Sequence, residues 1–226
     1  MLLDRSWSSD VEDPAAVRAM PMVLHIERVD PPARTDVLEA AAAAAVAVCL
    51  DPRAEVDGEW HDELAKWISG RIRKVSRRAR GAHWEAVQAL PGVTVTVGTA
   101  SVRAFLPGLV SALPKELSRL QVSGSDLPAD VPGPVPAEAR LLWLNPKVTM
   151  TVGKLAAQVG HASMLLAPRL PEPDLARWAA TGYRCAVRTP SPAEWDALLT
   201  DPDAVVVRDA GYTEVDPGTA TVAVAR

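Results

Sequence analysis

Apolar residues along this chain gather into short clusters separated by polar stretches and turn formers. The cluster at 23–26 has the length of a strand, and the alanine-rich run that follows from Val37 reads as a helix. A second helix ending near Trp67 and a strand over 72–78 come next. A short helix around Trp84 then leads to the valine-rich strand 93–97, a turn and Pro107-Gly108. The same order returns further on: strand 141–144, a helix from Leu155, a helix ending near Trp178, and a strand over 183–188. A short helix around Trp195, strand 205–208 and Pro217-Gly218 complete it.

Particular residues carry this repeat. Ala65-Lys66-Trp67 aligns with Ala176-Arg177-Trp178, and at the same offset Trp84-Glu85-Ala86 aligns with Trp195-Asp196-Ala197. With one residue deleted, Pro107-Gly108 falls on Pro217-Gly218. Landmarks kept in one order point to an internal duplication. Two homologous α/β domains are expected, 20–112 and 138–226, each a small mixed sheet flanked by helices in three layers. Residues 113–137 join them. Their part from Val122 onward is rich in Pro, Gly, Ser and Asp and reads as a linker, after a short helix predicted over 113–120.

Composition narrows the class. The 226 residues carry a net charge of −4, so the protein is not coated in basic residues, yet a local basic stripe would suffice to meet phosphates. The run 71–80 is such a stripe, with Arg71, Arg73, Lys74, Arg77 and Arg78 as candidate nucleic-acid contacts. A solvated edge strand, charged against edge-to-edge pairing, accounts for it equally well. Cys49 and Cys185 make no disulfide framework and read as buried thiols. His25, His61 and His83 are scattered, and no metal site is expected. Residues 1–21 lack the pattern of a signal peptide, and no apolar run is long enough to span a bilayer, so a cytoplasmic location is expected.

Two motifs bring chemistry, both in the second half. Gly153-Lys154 opens a helix, where free N–H groups favour anions and a lysine adds a point charge. Gly153 is expected to permit a backbone turn. Ala156, Ala157, Val159 and Gly160 are small enough to let the helix lie close to its sheet, and Gln158 and His161 occupy neighbouring positions on one face. Asp209-Ala210-Gly211 follows the apolar run 205–207, at the end of a predicted core strand, where ligands of α/β sheets commonly sit. Thr213 and Thr221 flank the Pro217-Gly218 turn and could return two hydroxyls towards Asp209. Each feature has a plainer reading: a solvated lysine, a turn after a strand, a core histidine.

The run Gly153-Lys154-Leu155-Ala156-Ala157-Gln158-Val159-Gly160-His161-Ala162 and the run 209–222 together resemble the signatures of the type II peptidyl-tRNA hydrolases. The resemblance covers the second half, including Trp178. It implies hydrolysis of the ester between a peptide and tRNA, without metal or organic cofactor. It assigns Lys154, Asp209, Thr213 and Thr221 to catalysis, and Gly153, Gln158, His161, Gly211 and Thr219 to substrate binding. Asp209 would orient or deprotonate water, and Lys154 would meet the oxyanion or a tRNA phosphate. The sequence departs from the family at Ala139, Asn145 and Tyr212, where basic residues are lost, which bears on tRNA affinity, and at Lys147, where a lysine replaces an acid. In the first half Thr35-Asp36 replaces Gly153-Lys154, Ala40 replaces Gln158, Thr99 replaces Asp209 and Arg103 stands at Thr213. Members of the family commonly pair as homodimers, so the expectation is a degenerate copy and an active copy packed as a pseudo-dimer within one chain. The rival expectation is a catalytically inactive module that binds RNA or a protein.

Overall fold

A computed structural model describes residues 13–225. The first part of the stretch expected not to be a signal peptide lies outside them. The elements run β1 (Arg18–His25), α1 (Arg34–Cys49), α2 (His61–Ile68), β2 (Lys74–Ala79), α3 (Ala82–Val87), β3 (Gly92–Val97), β4 (Ala100–Phe105), β5 (Gly108–Leu109) and α4 (Lys115–Ser118). The second half follows with β6 (Arg140–Leu144), α5 (Val152–Leu166), α6 (Glu172–Ala180), β7 (Cys185–Arg188), α7 (Pro192–Thr200), β8 (Val205–Arg208) and β9 (Ala220–Val224).

These form two mixed sheets of one topology, β2-β1-β4-β3 and β7-β6-β9-β8, with the short β5 added to β1. In each, the first strand runs parallel to the second and antiparallel to the last. The expected α/β class is therefore present twice. Strand β4, where a turn was expected, and β9, where no element was predicted, pair directly with the first strands. Gly98-Thr99 is the two-residue loop joining Val97 to Ala100, a hairpin signal that was available in the sequence.

Strand β1 begins earlier than expected because Pro21 sits inside it. The N–H of Met20 donates to Arg73 on the β2 side, so the nitrogen of Pro21 points the other way. There the pairing is interrupted, β5 covering Arg18 and Ala19 and β4 only Met22 to Leu24. Proline is tolerated where no ladder bond is needed. The strand's alternation is clean: Met20, Met22 and Leu24 face α1, while Val23 packs with Trp84, Phe105 and Leu117 on the opposite face.

Helix α1 is apolar on nearly every side and buried along most of its length, as a helix must be when it touches protein all round. It packs on β1, β3 and β4 of its own sheet, against α5, and on the edge strand β7 of the other sheet. Helix α5 does the converse, lying on β6, β8, β9 and also β2. One continuous apolar core thus runs through both halves. At the helix crossing, the small residue Gly160 lies against Ala45 and Ala41 of α1, and Ser163 Oγ donates to the Ala42 carbonyl at 2.7 Å. The expectation that Gly160 serves an approach to its own sheet is corrected: it is pressed against the other half's helix.

The connecting segment has no regular structure beyond α4, yet it is fastened to the body. Ser125 and Leu127 are buried. The Asp130 carboxylate accepts from Thr35 N at 3.1 Å and Thr35 Oγ1 at 2.9 Å, capping a helix whose own N-cap residue, Ala33, offers no side chain.

Candidate active site

The first turn of α5 is set by Thr151, whose hydroxyl accepts from Lys154 N at 3.2 Å and donates to Glu214 Oε1 at 2.7 Å. Glu214 Oε2 also accepts from Thr151 N at 2.7 Å, tying the loop after β8 to the helix start. Thr151 and Glu214 were not singled out from sequence, though a threonine three residues ahead of Lys154 has the spacing of an N-cap. Gly153 sits inside the helix, which corrects the turn expected of it. Its missing side chain matters because a Cβ there would lie 3.0 Å from Ser125 Oγ and 3.7 Å from Ser76 Cβ.

From this helix Lys154 reaches the loop between β8 and β9. Its Nζ lies 2.6 Å from Asp209 Oδ2 and donates to Thr213 Oγ1 at 2.9 Å. Gln158, one turn further along, donates its Nε2 to the same Asp209 Oδ2 at 2.8 Å. The other carboxylate oxygen, Oδ1, accepts from Gly211 N at 2.8 Å. Gly211 has φ +78°, and a Cβ there would collide with Pro217 Cγ at 2.4 Å. Only glycine fits that turn. The backbone of Asp209 is pinned as well, its N–H donating to Thr219 O and its carbonyl accepting from Gly218 N.

Thr221 does not return to Asp209 as expected. The β8–β9 register shifts between Val207 and Arg208, and the Thr221 hydroxyl points inward, donating to Gln158 Oε1. It is fully buried and orients the amide that holds the carboxylate. Thr219 is also displaced from its expected role: its hydroxyl donates to Asp216 O at 2.7 Å and does not line the cleft. His161 does line it. Burial, and then the nearby Lys74, hold its imidazole well below the ordinary histidine range.

The cluster opens into a cavity of about 990 Å³ that lies between the halves. One wall is α5 with the β8–β9 loop, and the other is the stretch 71–76 at and before the edge strand β2. The basic run thus divides. Arg71, Arg73 and Lys74 face the cleft, whereas Arg77 donates to Leu120 O at 2.8 Å and Arg78 to the Gln121 side chain. Arg71 is exposed and donates to Tyr212 Oη at 2.5 Å, while the guanidinium of Arg73 lies 6.0 Å from the Tyr212 ring. Lys74 is different: its Nζ is buried, and burial pushes its pKa down to about 7, with Cys49 opposing weakly.

At the first-half positions that the expected repeat sets against the site, polar side chains bond to near neighbours. Asp36 Oδ2 accepts from Thr99 N at 2.7 Å and Thr99 Oγ1 at 2.8 Å, so the residues standing for Lys154 and Asp209 satisfy each other. Arg103 is spent on Leu90 O at 2.6 Å and Thr94 Oγ1 at 2.8 Å. Between α1 and β7, where symmetry would put a second cleft, Glu39 accepts from Val187 N at 3.0 Å and from Arg188 Nη1 at 2.8 Å. Asn145 and Lys147 stand away from the cleft, bonded to Ala220 O and to Asp196 respectively. Among the described residues no cluster of His, Cys, Asp or Glu could hold a metal ion, and no helix is long and apolar enough to cross a membrane.

A buried ammonium–carboxylate pair, with hydroxyls beside it and a cleft in front, can place a donor on a developing oxyanion and an acceptor on water. In comparison with known families, residues 140–226 match the family model for peptidyl-tRNA hydrolase PTH2. No curated protein and no solved structure gives a match.

Proposed function

From the premise that the C-terminal part of the chain belongs to the peptidyl-tRNA hydrolase PTH2 family, we propose that the protein cleaves the ester between a peptide and the terminal ribose of tRNA. The observation that carries this reading is the Lys154–Asp209 pair, 2.6 Å apart at the mouth of the cleft and held by Gln158 and Gly211. Asp209 Oδ1 accepts a single bond from Gly211 and keeps a lone pair for water. Water bound there attacks the ester carbonyl and its proton passes to Asp209. The new C–O bond creates a tetrahedral oxyanion, which the Lys154 ammonium stabilises with Thr213 beside it. Collapse breaks the bond to the ribose oxygen, and the proton held by Asp209 goes to that leaving oxygen. A positioned base contributes about 10²–10⁴-fold, and an oxyanion donor about 10²–10³-fold.

The N-terminal half is read as the degenerate copy of a tandem duplication, supported by the shared strand order of the two sheets. It acts as a built-in partner, supplying the opposite wall. Arg71 and Arg73 there offer the phosphate contacts that Tyr212 does not. The catalytically silent alternative draws on the absence of an arginine at Tyr212, and the same experiment separates the two. Release of tRNA from purified peptidyl-tRNA is measured for the intact protein, Asp209→Ala and Lys154→Ala. Turnover that collapses in both variants supports the hydrolase. A folded intact protein without turnover leaves only the binding module.

A further inference from the structure

The catalytic cluster uses one wall of the cleft, and on the other only Arg71 and Arg73 have a task so far, as phosphate contacts. On that second wall, Lys74 and Ser76 are two residues apart on β2, so their side chains lie on the same face of the strand. Both line the cavity, and both Lys74 Nζ and Ser76 Oγ are buried without a hydrogen-bond partner. The Trp67 ring lies 5.5 Å from the Lys74 ammonium and offers no lone pair, and Cys49 and His161 interact with it only through their charges. A buried donor left unpaired costs about 1–3 kcal/mol, and such groups in a native fold call for a ligand or another specific explanation.

Three features say which ligand chemistry fits. Both groups can donate, so the partner presents acceptor oxygens. Ile72, Val75 and Leu165 line the same space, so the rest of the ligand is apolar. The site also adjoins the reactive centre, since Ser76 Cβ lies 3.7 Å from the position of a Cβ on Gly153, the residue before Lys154. Phosphates suit this place poorly: of the lining residues on this wall Arg71 is exposed to solvent, while Lys74 Nζ and Ser76 are buried. Burial also lowers the Lys74 pKa to about 7, so near neutrality the amine is charged only in part, and a neutral carbonyl acceptor does not require it to carry a full charge.

We propose that the β2 wall of the N-terminal half is an acyl subsite, in which Lys74 Nζ and Ser76 Oγ donate to backbone carbonyl oxygens of the peptide upstream of the scissile ester. This rests on the hydrolase reading for its substrate. It assigns the supposedly silent half a specificity role: the peptide lies along β2, and the RNA leaves past Arg71 and Arg73. Recognition through carbonyl oxygens is independent of peptide sequence and grows with peptide length, up to the reach of the subsite.

The test compares one tRNA carrying N-acetylleucine with the same tRNA carrying N-acetyl-trileucine. The intact protein is expected to favour the longer peptide about tenfold in kcat/KM, the worth of roughly two net hydrogen bonds. The Lys74→Met and Ser76→Ala variants each lose about threefold of that preference, and the double variant loses it all through KM. An equal loss on both substrates, or no loss on either, overturns the subsite. Failure of the hydrolase reading gives a different signature, no turnover of either substrate by the intact protein. Calorimetry with N-acetyl-trileucinamide then decides alone: binding that the double variant loses upholds the subsite, and no binding, or binding equal in both, removes it.

Discussion

Gly160 of α5 lies so close to Ala45 of α1 that a Cβ at position 160 would stand 2.9 Å from the Ala45 Cβ. A second methyl-sized group does not fit between the two helices. Because α1 belongs to the first sheet and α5 to the second, this contact joins the halves through their most buried surfaces. Gly160→Val is expected to destabilise the whole chain by about 1–3 kcal/mol, the usual cost of overpacking, seen as a lower urea midpoint with an unchanged slope. A segment of 138–226 alone would expose the α5 face that α1 covers. It is expected to bind hydrophobic dyes and aggregate, and a stable, fully active fragment would refute the built-in partner.

Glu39 and Arg188 make a second inter-half tie, with side chains 8% and 14% exposed. Glu39→Ala strands Arg188 and leaves Val187 N without its acceptor. The expected loss is about 3–5 kcal/mol. Pairing it with Arg188→Met should recover part of that loss, because the uncompensated charge is gone. A double-mutant cycle by chemical denaturation checks both figures.

Lys74 makes stability depend on pH in a defined direction. In the unfolded chain its pKa is the ordinary 10.5, and in the fold it is about 7. Below pH 7 both states carry the proton and the fold bears the full cost of a buried ammonium. Between these values the unfolded chain binds more protons, so stability rises with pH. His161, whose imidazole is held well below its ordinary 6.5, acts in the same direction but only below that pH. Cys49, raised from 9.0 to about 12, and Cys185, also raised, lower stability above pH 9. The window from pH 7 to 8, below the titration of the unfolded thiols, therefore isolates Lys74. Thermal midpoints should climb across it in the intact protein and stay level in Lys74→Met.

Thr221 acts through Gln158. Thr221→Val leaves the buried Gln158 Oε1 unpaired, at a cost of about 1–3 kcal/mol in stability. It also frees the amide that holds Asp209, so kcat should fall while KM stays near its original value. Thr221→Ser, which restores the donor, should recover most of the rate. A KM effect instead would place Thr221 in substrate contact.

If tRNA runs past Arg71 and Arg73, binding weakens with salt. Removing both charges should reduce the slope of log K against log salt by about 1–2, with each phosphate contact contributing about 0.7–0.9. The Arg77 and Arg78 side chains are held by Leu120 and Gln121. Neutralising those two should change the slope little.

Much of this protein can be read from its residues alone. The repeat of Trp67 and Trp84 in Trp178 and Trp195 announced two sheets of one topology, because large side chains fix the places where helices dock. Lys154, Gln158 and Asp209 were legible because short-range rules placed the first at a helix start, the second on that helix and the third at a strand end. Only the tertiary structure decided what the small residues are for. Gly153 leaves room for Ser125 of the connecting segment and Gly160 for Ala45 of the other half, and no local pattern records an approach between segments far apart in sequence. The same holds for Thr221, which a register shift turned inward to Gln158, and for the run 71–80, which gave no clean alternation. Its division between cleft and support depends on where α5 crosses β2. Local propensity and periodicity determine elements and their faces, whereas a cleft between two halves belongs to their packing.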